Sequence, residues 1–96
     1  MFHELTIAEV RHETPDSVAL SFAVPEDLAE TFSWKPGQYL TLRAEVEGRD
    51  ERRSYSIASA PGQPLTVGVK HVEGGLFSTF CQGLEPGQVI RVMPPE

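Results

Sequence analysis

The chain has 96 residues, of which 40% are hydrophobic and 23% charged, and its formal net charge is −6 with a sequence pI of about 5.0. These values predict one folded domain. They argue against a nucleic acid or an anionic membrane as partner, because both attract basic surfaces. Cys81 is the single cysteine, so no internal disulfide can form, and a reducing compartment, the cytoplasm, is expected. No apolar run approaches the roughly 20 residues of a membrane helix, and the N-terminus does not resemble a secretory signal.

The first part of the chain predicts four strands, over residues 5–10, 17–24, 38–46 and 52–59. Strict alternation of apolar and small or polar residues in 17–24 is typical of a half-buried strand. Residues 25–32 begin with Pro and two acids, which predicts one or two helical turns. The turns expected between these elements lie at 12–16, at Pro36–Gly37 and at 47–50.

The second part predicts a fifth strand over 65–72, a short helix from Leu76 ending near Gly83, and a sixth strand over 89–92. The turn at 85–88, EPGQ, echoes KPGQ at 35–38, and we interpret the two as similar turns and not as a sequence repeat. Six short strands with turn signals at close intervals predict an all-β fold, an antiparallel sandwich or barrel.

One stretch of the fourth strand, RRSYSIAS at 52–59, carries a cation, an aromatic ring and several hydroxyls. In a strand, Arg53 and Tyr55 share one face while Ser54 and Ser56 share the other. A guanidinium beside a tyrosine ring suits a ligand that has a phosphate at one end and a flat ring at the other. Taken alone, however, the stretch is better explained as an ordinary barrel strand, because short motifs recur by chance.

A second stretch, EGGLFS at 73–78, places a glycine pair before the helix. Glycines let a ligand approach the backbone, helix N–H groups can hold a phosphate, and Ser78 adds a hydroxyl. A tight turn into a short helix with nothing bound is the competing interpretation. Together the two stretches form a two-sided clamp for a diphosphate, and a flavin dinucleotide fits it better than a lone nucleotide does.

Three segments in the same order resemble the motifs of the ferredoxin reductase-like flavoprotein superfamily. They are KPGQYL at 35–40, the R-x-Y-S pattern RSYS at 53–56, and VKHV at 69–72 with GGLFS at 74–78. The resemblance spans essentially the whole chain. Segments at 2–6, 22–25, 52–53 and 92–95 most resemble the reductase subunits of phenylacetyl-CoA epoxidases, which act in phenylacetate degradation. This resemblance implies a six-stranded antiparallel Greek-key barrel with one or two short flanking helices, and FAD as the cofactor.

The resemblance also implies roles for individual residues. Arg53 would pair with the pyrophosphate, Tyr55 would pack on the isoalloxazine, and Ser56 would lie near the flavin N5 atom as the one candidate catalytic group. The turn would contribute backbone donors from Gly75, Leu76 and Phe77 and the hydroxyl of Ser78. The other residues expected to line the flavin are Ser54, Val69, Lys70 and His71. For Lys70 and His71, an ordinary surface position is an equal alternative.

Residues outside these motifs are expected to have no catalytic role. Cys81 is predicted to be a small buried helix residue, and His3 and His12 lack the spacing of metal ligands, so no metal site is expected. The acids Glu45, Glu47, Asp50 and Glu51 are interpreted as a solvated face of the hairpin.

The resemblance further implies that residues 1–96 are the FAD-binding barrel of a longer NAD(P)H-dependent oxidoreductase. Nicotinamide-binding and plant-type iron–sulfur domains would lie beyond residue 96, and electrons would pass through flavin to an oxygenase. The barrel alone would then bind flavin without efficient turnover. A non-flavin barrel module, of OB or translation-factor type, and a purely structural docking domain are the alternatives. FAD is favoured over FMN, while the choice between NADH and NADPH, the acceptor and the oligomeric state stay open.

Overall fold

The computed structural model describes all of residues 1–96 and contains six strands, one α-helix and one 3₁₀ turn. The elements, in chain order, are β1 (His3–Thr14), β2 (Ser17–Ala23), the 3₁₀ turn (Glu26–Leu28), β3 (Tyr39–Val46), β4 (Arg49–Ser56), β5 (Leu65–Lys70), α1 (Leu76–Gln82) and β6 (Val89–Val92). The one α-helix has seven residues, far fewer than a membrane-spanning helix needs.

The six strands form one sheet in the order β4-β3-β6-β1-β2-β5, and every neighbouring pair is antiparallel. The edges of this sheet, β4 and β5, approach each other where β4 ends. There Ile57 forms a bridge with Val67, and the Ala58 N–H donates to Thr66 O at 2.8 Å. The sheet therefore curls into the expected Greek-key barrel, closed at one end by this short contact and open elsewhere between β4 and β5.

Eighteen buried apolar residues fill the barrel as one cluster. The alternation in β2 and β3 explains this, because it directs residues such as Leu20, Leu40 and Leu42 inward, where each is fully buried. Helix α1 covers the gap beside β4 and β5 with Phe77 and Cys81, which are 1% and 0% exposed. The helix thus closes the core on the side where the sheet is open.

All the predicted elements are present, but several of their boundaries differ from the sequence predictions. β4 runs from Arg49 to Ser56 instead of over 52–59, and β5 ends at Lys70 instead of at residue 72. β1 runs from His3 to Thr14, well beyond the predicted 5–10, because β6 pairs with its first residues and β2 with its remainder. The helical turns predicted for 25–32 are reduced to the 3₁₀ turn at Glu26–Leu28. The predicted hairpin turn at 47–50 is shorter as well, because Arg49 and Asp50 already pair with Val46 and Glu45.

Three turns of the chain have the same structure, although the sequence suggested an echo between only two of them. Residues 35–38, 60–63 and 85–88 each end in Pro-Gly-Gln, at a spacing of 25 residues, and Gly37, Gly62 and Gly87 have φ of 92°, 93° and 94°. In each turn the Gln Oε1 accepts the N–H of the first residue, at 2.7, 3.2 and 2.7 Å. Each turn precedes a strand, so the glutamine fixes how the chain enters β3, β5 and β6.

Candidate functional site

A cavity of about 290 Å³ lies at the open side of the barrel, between β4, the end of β5 and the start of α1. Its walls contain eight of the eleven residues predicted to bind the cofactor, together with Val72, which the sequence did not single out. The lining residues are Arg53, Ser54, Tyr55, Lys70, Val72, Gly75, Leu76, Phe77 and Ser78. The fold therefore brings together the two stretches that the sequence predicted to act as one clamp.

Arg53 and Tyr55 reach this cavity because of the register between β3 and β4. Arg53 lies opposite Leu42 and Tyr55 opposite Leu40, and both leucines point into the barrel. At the edge of the sheet this inward face is not fully covered, so the two side chains lie at the barrel rim. The predicted sharing of one face by Arg53 and Tyr55 is confirmed.

Tyr55 packs in nearly parallel fashion on Phe77 of α1, with ring centroids 6.3 Å apart and planes inclined by 26°. Burial raises the pKa of the Tyr55 phenol to about 12, with a further contribution from Cys81, while Arg53 opposes the shift. The phenol therefore remains a hydrogen-bond donor at neutral pH. Cys81 is buried, and burial raises the pKa of its thiol to about 12, which fits the predicted inert helix residue.

Arg53 is held by its own strand. Its Nη2 donates to Glu51 Oε1 at 2.9 Å, and its Nη1 donates to the carbonyl oxygen of Arg52 at 2.6 Å. The Glu51 carboxylate is the more enclosed partner, with a side chain 19% exposed against 51% for Arg53. Glu51 was assigned to a solvated face, and the structure instead places it beside the cation of the candidate site.

The turn between β5 and α1 has a geometry that only glycine permits at two positions. Gly74 has a φ of 77°, and a Cβ on Gly75 would lie 2.9 Å from Val72 O and 2.8 Å from Ser78 Oγ. Ser78 is 7% exposed as a residue, and its hydroxyl oxygen accepts the Val72 N–H at 3.0 Å. Ser78 therefore shapes the turn from inside.

The first three backbone N–H groups of α1 have no partner within the chain. The first N–H of α1 that finds an acceptor within the chain is that of Thr79, which donates to Gly75 O at 3.1 Å. The N–H groups of Leu76, Phe77 and Ser78, all residues of the cavity wall, have no carbonyl partner. A cation and a set of fixed donors thus face one cavity, an arrangement suited to an anionic group.

Comparison with known proteins agrees with this chemistry. Residues 4–96 match the model of the oxidoreductase FAD-binding domain family. The chain belongs to this family.

Two curated relatives resemble the chain in sequence, and one solved structure resembles it in fold. A subunit of 1,2-phenylacetyl-CoA epoxidase from Escherichia coli K12 is 44% identical over 98 residues, covering 99% of this chain and 27% of the relative. The ferredoxin reductase component of 3-ketosteroid-9-alpha-monooxygenase from Rhodococcus rhodochrous is 38% identical, covering 95% and 27%. Flavohemoglobin from Malassezia yamatoensis, solved with bound FAD and heme, superimposes with a TM-score of 0.85 at 21% identity, covering 98% of this chain and 24% of that one.

These findings identify the chain as an oxidoreductase FAD-binding domain, and one of the two relatives is a ferredoxin reductase component. They do not support the alternative of a non-flavin barrel. The chain spans about a quarter of the length of the curated relatives that it matches.

Three residues predicted to contact the flavin lie outside the cavity of this FAD-binding domain. Val69 is fully buried, and its carbonyl oxygen accepts a hydrogen bond from Gln82 Nε2 at 3.2 Å. His71 Nε2 lies 3.0 Å from Thr79 Oγ1. Ser56 is exposed at the end of β4, opposite Tyr39, on the face that points away from the barrel interior. Their roles toward the flavin remain predictions.

The outward face of β4 carries a different cluster, centred on Asp50. Arg43 donates two hydrogen bonds to this carboxylate, at 2.8 and 2.9 Å, and Arg52 lies 4.0 Å away. Hydrogen bonding to Arg43 holds the pKa of Asp50 below its usual value. Both guanidinium groups lie close to the ring of Phe2, with the Cζ atoms of Arg43 and Arg52 at 5.2 and 5.3 Å from its centroid. This cluster links β3 to β4 on the outward face, whereas Arg53 lies on the inward face of β4.

A larger cavity, of about 400 Å³, lies on another side of the FAD-binding domain, between the 29–34 segment and the 61–65 turn. No charged residue lines it, so it lacks a partner for a diphosphate. Trp34 forms one wall and is fixed there by its indole N–H, which donates to Ser59 O at 3.1 Å. We therefore place the candidate cofactor site at the smaller cavity, which contains the groups with the required chemistry.

Proposed function

We propose that this domain holds FAD with its pyrophosphate between Arg53 and the first residues of α1, 76–78, and with its flat ring beside Tyr55. The single observation that carries the proposal is that a cation, a tyrosine and three free backbone donors line one cavity. The cavity volume lies at the low end for ligand pockets, so it suits the diphosphate portion. The two ends of the dinucleotide would then extend along the open edge of the barrel.

Each residue of the site would make a distinct contribution. The planar guanidinium of Arg53 offers paired donors to phosphate oxygens, and the free N–H groups at Leu76, Phe77 and Ser78 supply donors whose positions the turn fixes. Tyr55, kept neutral and braced by Phe77, offers a flat surface and one hydroxyl donor. Ser54 and Lys70 complete the wall, and Ser56, beyond it, is the candidate group near the flavin N5 atom.

Bound FAD accepts a hydride and can release electrons singly, whereas the protein provides binding and orientation. We propose that the domain works within a larger NAD(P)H-dependent reductase that delivers electrons through an iron–sulfur centre to an oxygenase, and specifically in phenylacetate degradation. The relative at 44% identity, a subunit of phenylacetyl-CoA epoxidase, supports this assignment. A nicotinamide-binding domain and an iron–sulfur domain in the same polypeptide, and a cytoplasmic location, belong to the same proposal.

Calorimetric titration of the chain with FAD tests the site. Arg53→Ala should weaken FAD binding by about 1.5–3 kcal/mol, the range for hydrogen bonds to a charged group, while the barrel stays folded. Arg49→Ala is the matched control, because Arg49 is an exposed arginine of the same strand that lines none of the described cavities. Equal FAD affinity for the two variants would remove Arg53 from the site. A wild-type chain that does not bind FAD would refute the proposed function itself.

A further inference from the structure

We propose that Glu51 is a positioning residue that holds Arg53 and limits the affinity of the site for a diphosphate. This inference rests on the proposed function and extends it to a residue that no flavin motif contains. The ion pair joins Glu51 Oε1 and Arg53 Nη2 at 2.9 Å. Glu51 thus acts through Arg53 and not by lining the cavity.

The register of the hairpin explains why this pair forms. Glu51 lies opposite Ala44 and Arg53 opposite Leu42, so both side chains leave β4 on the inward face, one two-residue repeat apart. Asp50, the adjacent acid, points outward and is engaged by Arg43. The two neighbouring carboxylates of the hairpin therefore bind different arginines: Asp50 pairs with Arg43 and Glu51 pairs with Arg53.

The pair has two opposing effects on an anionic ligand. The guanidinium has five donors, of which one is directed to Glu51 and one to the Arg52 carbonyl, so the remaining donors can face the cavity in a fixed orientation. The Glu51 carboxylate, however, offsets part of the positive charge of Arg53 and competes with a phosphate for its donors, so the guanidinium attracts a phosphate less strongly. The low exposure of Glu51 reduces the screening of this ion pair by water and salt.

A variant that removes the negative charge of Glu51 but keeps its hydrogen-bond acceptor separates the orienting effect on Arg53 from the electrostatic effect. Glu51→Gln keeps an oxygen that can accept the Arg53 hydrogen bond and removes the negative charge. We expect FAD to bind this variant about fivefold more tightly, on the scale of a partly exposed charge pair. Riboflavin, which has no phosphate, should bind with unchanged affinity. Glu51→Ala removes the charge and also the acceptor, so it should bind FAD more weakly than Glu51→Gln does.

Calorimetric titrations of the chain with FAD and with riboflavin provide the measurement. Glu45→Gln is the matched control: it removes one negative charge from the same hairpin, and Glu45, opposite Asp50, points outward. It should bind FAD as the wild type does. In an Arg53→Ala background the effect of Glu51→Gln on FAD affinity should disappear, since Glu51 acts through that cation.

The outcomes distinguish this inference from the proposed function. A wild-type chain that fails to bind FAD refutes both. A wild-type chain that binds FAD, together with a Glu51→Gln variant of equal or lower FAD affinity, refutes only the role of Glu51. Parallel gains for FAD and riboflavin would also refute it, because a change in general stability would move both ligands alike.

Discussion

Gly75 is a residue of the candidate site whose lack of a side chain is required by packing within the chain, and not only by a ligand. The sequence suggests that its lack of a side chain serves close approach by a diphosphate. The structure adds a reason within the chain, since a Cβ there would come within 2.9 Å of the Val72 carbonyl oxygen. A backbone atom cannot move aside as a flexible side chain could. The turn that presents the free donors therefore depends on glycine at this position.

We expect Gly75→Ala to lower the free energy of unfolding by about 1–3 kcal/mol, the usual cost of overpacking. Gly68→Ala is its control, because Gly68 has room for a methyl group and lacks a positive φ. That variant should stay within about 0.5 kcal/mol of the wild type. Urea unfolding of the three proteins makes the comparison. Equal stability of the two variants would show that the turn adapts easily and that the contact has no energetic weight.

At the same scale, the sequence predicts most of the site but misses one of its charges. Arg53, Tyr55 and the glycine-containing turn can be recognised because their residue types match a ligand. Glu51 was missed because the predicted strand began at residue 52, so the acids before it were interpreted as a solvated face of the hairpin. Only the pairing of β4 with β3 shows that the strand begins at Arg49 and that the alternation which places Arg53 on the inward face includes Glu51. Val72 belongs to the VKHV segment that resembles a family motif, but no role was assigned to it, since an exposed valine carries no chemical signal of its own.

At the scale of elements, the β3–β4 hairpin depends on the ion pairs around Asp50. Because Arg43 lowers the pKa of this carboxyl in the folded state, the ionised form is favoured by folding. The ionised Asp50 therefore contributes its full stabilisation above the pKa of the unfolded state, about 3.9. This stabilisation is lost as the pH falls through the lower pKa of Asp50 in the folded state. The hairpin carries both arginines of the RRSYS stretch, so acid should loosen the element that presents Arg53.

Asp50→Asn tests this dependence. We expect the variant to be less stable than the wild type at pH 7, with the difference shrinking steadily below about pH 5 as the wild-type carboxylate becomes protonated. Urea unfolding between pH 7 and pH 3 measures it. In 1 M salt the difference at pH 7 should be smaller, because this pair is exposed and its attraction is screened. A difference that does not vary with pH would show that the carboxylate charge contributes nothing.

An element could be predicted from the sequence when its own residues determine it, and not when it depends on pairing with a distant strand. β6 and α1 lie where apolar spacing and glycine turns predict them. The polar residues at the end of β1, including His12 and Thr14, were predicted to lie in a turn and are instead held in a strand by pairing with β2. Residues 60–64 were predicted to end the fourth strand, but their likeness to the other two Pro-Gly-Gln turns was not recognised. In that turn the glutamine side chain, and not the following residue, makes the decisive hydrogen bond.

At the scale of the whole molecule, the strand order could not be derived from the sequence. β6 lies between β3 and β1, and β5 pairs with β2, so most neighbours in the sheet are distant in the chain. Alternation predicts which face of a strand is buried but carries no information on its partner. The closure between Ile57 and Val67 is equally non-local. The barrel was anticipated through its resemblance to a known superfamily, and the structure confirms it.

We expect the 96-residue chain to bind FAD yet to oxidise NADPH or NADH hardly faster than free flavin does. Hydride transfer needs the two reacting atoms within about 3–3.5 Å, and no G-x-G-x-x-G unit of strand and helix is present to hold the nicotinamide. Stopped-flow mixing of the FAD-loaded chain with each nucleotide tests this expectation. Saturable bleaching at low micromolar nicotinamide would reveal a nicotinamide site within the barrel and would contradict the proposed division of labour between domains.

The position of Trp34 gives this molecule an optical property of its own. It is the single tryptophan of the chain, and its indole is fixed by a hydrogen bond to Ser59, three residues beyond Ser56 at the end of β4. An isoalloxazine absorbs light in the range where tryptophan emits. A flavin bound along β4 would therefore accept excitation energy from Trp34, whose position and orientation the fold fixes. The emission lifetime of this indole would then report how close the flavin ring lies to Trp34.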